Sequence, residues 1–137
     1  ENIPVTAAPG PTAVITALTL SGLPVHSFTF RGYTPRKSGQ RKHFFEVDLN
    51  APHTLIYYES PCRPIACLKD PREVFGDRSA AVCNDLTKKF ELISRGRLSA
   101  LIEQFEKEAP RGEYTVVING CDTKIEFDND EDPQDGE

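Results

Sequence analysis

"HTLIYYESPCR", residues 53–63, decides how the rest of the chain is read. Leu55, Ile56, Tyr57 and Tyr58 follow one another with no polar alternation. A strand that is apolar on both faces belongs in the middle of a sheet covered on both sides. It then stops abruptly at Glu59–Ser60–Pro61. Ser60 suits a helix N-cap, and Pro61 suits the first helical position, where a missing N–H costs nothing. A buried strand running straight into a helix predicts an α/β fold.

The flanking segments fit that reading. Upstream, "PGPTAVITALTLSGLP" (9–24) predicts a helix started by Pro11, with Val14, Ile15 and Leu18 as its apolar stripe. Gly22 stops it and Pro24 prevents its resumption. "SFTFRGY" (27–33) alternates as a strand, with Phe28 and Phe30 on one face. A short helix near 39–49 is expected after it. Downstream of Glu59 a helix is expected from Ser60, broken at Pro71, with Asp70 capping a second short piece that Gly76 ends. "SAAVCND" and "FELISRG" read as strands. In "LSALIEQFEKEAP", Leu98, Leu101, Ile102 and Phe105 fall at i, i+3, i+4 and i+7 of a helix. "GEYTVVING" is the last strand. The result is a mixed sheet of about five strands with helices packed on it.

Charge divides the chain. Of 137 residues, 16 are basic and 21 acidic, for a net charge of −5. Residues 122–137 hold eight of the acids and one base, which leaves 13 acids against 15 bases in 1–121. The expected organisation is therefore one domain over 1–121 and an acidic tail over 122–137, too polar to order itself. Within the domain, "FRGYTPRKSGQRKHFF" (30–45) carries Arg31, Arg36, Lys37, Arg41 and Lys42 and no carboxylate. Such cationic density, with Tyr33 beside it, suits phosphate contacts of a nucleic acid, and a solvated charged surface is its plainer alternative.

Other chemistries find little support. The sequence has no dinucleotide fingerprint, P-loop, zinc-protease helix or nucleophile elbow. Cys62, Cys67, Cys83 and Cys121 lack zinc-ligand spacing and read as buried or half-buried free thiols, with no metal expected. No apolar run approaches the roughly 20 residues a membrane span needs. The abrupt opening "ENIPVTAAPGP" suggests a piece of a longer polypeptide.

Three polar segments stand at the ends of secondary structure: "APGPTA" before the first helix, "YYESPCR" after the second strand and "NDLTKKFE" after the third. Each has an ordinary reading as a turn or cap. Open α/β sheets bind ligands in crevices beyond strand ends, and helix N-termini offer unpaired N–H groups.

Taken together and in this order, these segments, with "FGDRSAAVCNDLTKKFE", "SRGRLSALIEQF" and "PRGEYTVVING", resemble the C-terminal half of the ribosomal RNA small subunit methyltransferase I family. That family lies within the tetrapyrrole (corrin/porphyrin) methylase superfamily. The likeness covers residues 4–120. It implies a cytoplasmic, homodimeric enzyme of two domains with S-adenosylmethionine between them. Its activity would be methylation of a cytidine ribose 2′-hydroxyl in small-subunit rRNA. It also implies that an N-terminal domain carrying much of the cofactor site is absent here, so that this chain alone would be inactive.

By the same resemblance, Pro9, Gly10, Pro11, Thr12 and Ala13 match the interdomain turn beside the cofactor. Tyr58 and Glu59 match one cofactor-contacting strand end, and Asn84, Asp85 and Leu86 match a second. The Pro-Arg-Lys loop matches a segment facing RNA, which makes Arg31, Arg36, Lys37, Arg41, Lys42 and Arg63 the candidate RNA contacts. Cys62 stands where the family commonly has His, and Asn84–Asp85 where it has Arg-Glu. A hydroxyl nucleophile benefits from a base or an orienting acceptor. Glu59 and Asp85 are the candidates for that task, and Lys88 for anchoring a phosphate. Half of a tetrapyrrole C-methyltransferase, or a non-catalytic dimerisation or RNA-docking domain, are the competing readings.

Overall fold

A computed structural model describes residues 2–121. The proposed acidic tail, 122–137, lies outside the described residues. The elements run α1 (Ala13–Ser21), β1 (Phe28–Tyr33), α2 (Ser38–Glu46), β2 (Thr54–Glu59), α3 (Ala66–Phe75), β3 (Ser79–Asn84), β4 (Leu92–Arg97), α4 (Leu98–Lys107) and β5 (Tyr114–Ile118). The five strands form one sheet in the order β1-β2-β5-β3-β4. β1 and β2 are parallel, whereas β5 runs antiparallel to both β2 and β3. β2 and β3 therefore point the same way, and their carboxyl ends emerge at one edge.

Both sheet faces are covered, which is why β2 has no polar alternation. On one face Leu55, Tyr57, Val82, Val116 and Ile118 pack under Phe45 of α2, Leu68 of α3 and Leu101 and Phe105 of α4. On the other, Ile56, Ala81, Cys83 and Val117 pack under Ala17 and Leu18 of α1. α1 covers only part of its face. Phe28 and Phe30 on the edge strand β1 stay partly exposed.

Several local expectations need correction. α3 begins at Ala66, and residues 60–65 are turns and loop. Pro64 disfavours helical conformation at Arg63, which keeps a helix from running on from Ser60. The residue before α3 is Ile65, so Ser60 is no N-cap. Pro71 does not break α3, which continues through it to Phe75. Proline leaves the carbonyl four residues back without its donor. Here that carbonyl belongs to Cys67, and the buried Tyr57 hydroxyl donates to it at 2.6 Å. Asp70 caps nothing, and its buried carboxylate accepts instead from Arg41 and Ser38. α1 starts at Ala13 rather than Pro11, and its buried face is Ala17, Leu18 and Ser21, with Ile15 turned to solvent. Cys62 is exposed, while Cys67 and Cys83 are buried and Cys121 is half-buried, all as free thiols. No helix among the described residues is long and apolar enough to cross a membrane.

Candidate functional site

The edge where β2 and β3 end also receives the amino end of α1. Pro11, Thr12, Ala13 and Thr16 face Leu86 and Thr87 across a cleft of about 170 Å³. Thr12 makes no side-chain cap, so the first N–H groups of α1 are left without a helical acceptor at the mouth of this cleft. Opposite them the backbone after β3 is unusual. Asp85 and Thr87 have φ of 45° and 66°. A β-branched residue at positive φ is strained. The bonds that hold this turn run from the Thr87 N–H to Glu91 at 3.1 Å and from the Lys88 N–H to the Asp85 carbonyl at 3.0 Å.

Four of the residues expected at a cofactor site meet here: Pro11, Thr12, Ala13 and Leu86. Pro9 and Gly10 lie just upstream and do not line the cleft. Tyr58 sits farther along the edge, with ring centroids 4.9 Å from Phe30 and 5.3 Å from Tyr33. Thr16 and Thr87 are additions. Thr16 sits one helical turn beyond Thr12, so α1's period brings it to the same opening, whereas nothing in the sequence marks Thr87's φ.

Glu59 points to the opposite face and is 1% exposed. One of its oxygens accepts the Ser60 N–H at 2.7 Å and the Arg63 guanidinium at 3.1 and 3.2 Å. The other accepts the Thr34 hydroxyl. Asn84 is equally buried beside the Tyr114 hydroxyl. That proximity bears on the Tyr114 titration, yet neither the Asn84 amide oxygen nor its nitrogen has a partner of hydrogen-bonding geometry among the described residues. Tyr114 itself donates to the Pro110 carbonyl, and burial raises its pKa. The Asp85 carboxylate accepts the Glu113 N–H at 3.1 Å. It lies where a side chain at Gly112 would stand, 2.2 Å from the position of a Cβ there. Lys88, more than half exposed, lies 3.5 Å from Glu113 and 3.9 Å from Asp85.

The basic segment separates into two kinds of cation. Arg41 is 6% exposed; it bonds Asp70 at 2.6 Å and the Pro35 and Arg36 carbonyls. Arg31 forks onto Asp48 at 2.6 and 2.8 Å, which raises its pKa. Lys42 pairs with Glu73 at 2.9 Å, with the same effect. Arg36 and Lys37 are exposed, with no side-chain partner among the described residues. Arg36 and Arg63 line a second cleft, of about 450 Å³, with Tyr33, Thr34, Ser60 and Cys62. Another cavity, of about 900 Å³, is lined by none of these residues and lies between α4 and the 108–111 loop.

The family model that matches this chain is that of the tetrapyrrole (corrin/porphyrin) methylases, over residues 1–102. The chain belongs to this family. It is similar to the ribosomal RNA small subunit methyltransferase I of Micromonospora olivasterospora, 42% identical over 120 residues, which are 87% of this chain and 38% of that protein. The enzyme of the same name from Thermotoga maritima is 36% identical over 120 residues, 88% of this chain and 54% of that one. This methylase-family chain thus spans about half, or less, of the length of the curated relatives it matches. Among solved structures, the methyltransferase CobJ superposes with a TM-score of 0.60 at 18% identity, covering 82% of this chain and 49% of that chain. A diphthine synthase superposes with a TM-score of 0.56 at 13% identity, covering 81% and 46%. At such identities the structural likeness speaks to the fold.

Proposed function

We propose that this chain is the C-terminal half of an S-adenosylmethionine-dependent methyltransferase acting on small-subunit rRNA, at the ribose 2′-hydroxyl of a cytidine. The observation that carries the reading is the meeting of the α1 amino end with the Leu86–Thr87 turn, at the sheet edge where the exposed cations also gather. The names of its relatives favour rRNA over a tetrapyrrole as the substrate.

The cleft tests the cofactor's fit. At about 170 Å³ it falls short of the roughly 300–1,000 Å³ usual for a small-molecule site. It therefore fits one flank of the cofactor, and in this reading the other flank belongs to an N-terminal half of the parent protein. The unpaired N–H groups of α1 would hold polar atoms of that flank, and Leu86 and Ala13 its apolar surface. Bound S-adenosylmethionine would supply an electrophilic methyl group on a sulfonium. This chain's part is placement, which by itself supplies much of the rate of such a reaction. Both Glu59 oxygens are taken up by Ser60, Arg63 and Thr34 at the end of β2, whereas Asp85 holds the Glu113 N–H through one oxygen. Lys88 is the member of the trio able to reach a substrate phosphate. A homodimer accords with the aromatic face left open on β1.

The test is methyl transfer to small ribosomal subunits by the full-length parent carrying Thr16→Trp, which fills the cleft from α1's exposed side. Cofactor affinity should fall at least tenfold with the circular dichroism unchanged. Full affinity in the filled variant would remove the cleft from the cofactor site.

A further inference from the structure

We propose that Tyr33, Arg36 and Arg63 form a subsite for one unpaired RNA nucleotide. Its base stacks on the Tyr33 ring, and its phosphate lies between the two guanidiniums. The proposal rests on the RNA reading above and deepens it by assigning the strand state of the RNA and the residues that read it.

The backbone is built to present Tyr33. Strand β1 pairs regularly with β2 from Phe28 to Phe30, and then the register shifts before Tyr33 meets Tyr58. Gly32, at φ 72°, takes up the extra residue. Simple alternation would send residues 30 and 33 to opposite faces. The bulge returns Tyr33 to the face of Phe30, and both rings meet Tyr58 edge-on. Bulges re-aim side chains in this way beside functional sites. The Tyr33 residue remains 65% exposed. A large ring held by T-shaped contact with Tyr58 and otherwise open to solvent is a stacking surface.

The cations are positioned as deliberately. Arg41, buried against Asp70, bonds the Pro35 and Arg36 carbonyls and so fixes the backbone from which Arg36 projects. Arg63 spends Nε and Nη2 on Glu59. Its Nη1 has no partner among the described residues. Ser60 adds a hydroxyl to the same cleft. Glu59's charge is buried and matched by Arg63, so Arg36 and the adjacent Lys37 leave the opening net positive. Phosphate recognition asks for such planar donors, and aromatic rings beside a cationic groove are how single-stranded nucleic acid is held. A duplex keeps its bases stacked and offers none to Tyr33.

The test uses the 137-residue chain and fluorescence anisotropy with a labelled single-stranded RNA of about eight nucleotides, and with a hairpin of matched length. The single strand should bind more tightly than the hairpin. Tyr33→Ala should weaken single-strand binding roughly tenfold or more, with Tyr33→Phe close to wild type. Arg36→Ala should lower the slope of log affinity against log salt by about one. Undisturbed single-strand affinity in Tyr33→Ala, or preference for the hairpin, would overturn the subsite. If Arg36→Ala still flattens the salt slope in that event, the wider RNA reading stands while the nucleotide subsite falls. If Tyr33→Ala changes the sedimentation coefficient and not the affinity, the ring belongs to a contact between copies and the proposal is wrong.

Discussion

The Tyr57 hydroxyl donates a 2.6 Å hydrogen bond to the Cys67 carbonyl, the acceptor that Pro71 leaves without its helical donor. A side chain from the central strand thereby repairs the backbone of α3 and keeps it continuous across a proline. Tyr57 is wholly buried, and burial pushes its phenol pKa well up, so the hydroxyl stays a donor through the physiological range. Tyr57→Phe should destabilise the domain by about 1–3 kcal/mol, because it orphans a buried carbonyl. Pro71→Ala restores an N–H four residues beyond Cys67. The double variant should lose less stability than Tyr57→Phe alone, read from urea midpoints as a coupling energy. Additivity would mean that the two do not share an acceptor.

Arg41 and Asp70 form a second buried link, at 2.6 Å, between α2 and α3. Arg41→Ala should cost about 3 kcal/mol or more, since it leaves a buried carboxylate without its cation. Arg41→Lys should recover only part of this, because the fork that reaches both Asp70 and the loop carbonyls is lost. Equilibrium denaturation measures both. By contrast Lys42→Ala breaks an exposed pair with Glu73 and should leave the denaturation midpoint nearly unchanged.

Asp77 ties the start of α4 by accepting the Ser99 N–H and hydroxyl at 2.7 and 2.6 Å. These bonds lower its pKa below the ordinary 3.8. A group whose folded pKa is depressed contributes stability that is complete above the unfolded value and is lost as pH falls through the folded one. The Asp77 contribution should therefore hold above about pH 4 and fade in the acid range below it. Asp77→Asn should flatten that part of a stability–pH profile.

The thiols should sort by burial. Burial pushes Cys83 up to about 11 and Cys67 higher still. At pH 8 a disulfide reagent should label Cys62 first and Cys121 more slowly, with Cys67 and Cys83 silent until the chain is unfolded. Rapid modification of all four thiols would contradict the packing of both sheet faces.

Much of this architecture can be read from side-chain pattern. The unbroken apolar run Leu55–Tyr58 implies a strand covered on both faces, and the spacing of Leu98, Leu101, Ile102 and Phe105 implies α4. Pro71 misleads because its cost is met by Tyr57, which is distant in sequence and invisible to local propensity. The basic segment misleads in the same way. Arg31, Arg41 and Lys42 look alike in a charge run, but Asp48, Asp70 and Glu73 reach them only through the fold, leaving Arg36 and Lys37 as the solvent-facing pair. The cleft residues Pro11–Ala13 and Leu86 were legible through family resemblance. The positive φ of Thr87 and the bulge at Gly32 that turns Tyr33 were not, because backbone conformation at single positions has no periodic signature.

The most direct test of the proposed function is to give the full-length parent isotopically labelled S-adenosylmethionine and undermodified small ribosomal subunits, then map the label by nuclease digestion and mass spectrometry. The account predicts a single ribose-methylated cytidine in small-subunit rRNA, with no transfer by the 137-residue chain alone. Label on a nucleobase or on a tetrapyrrole instead of rRNA, or transfer by the isolated chain, would contradict it.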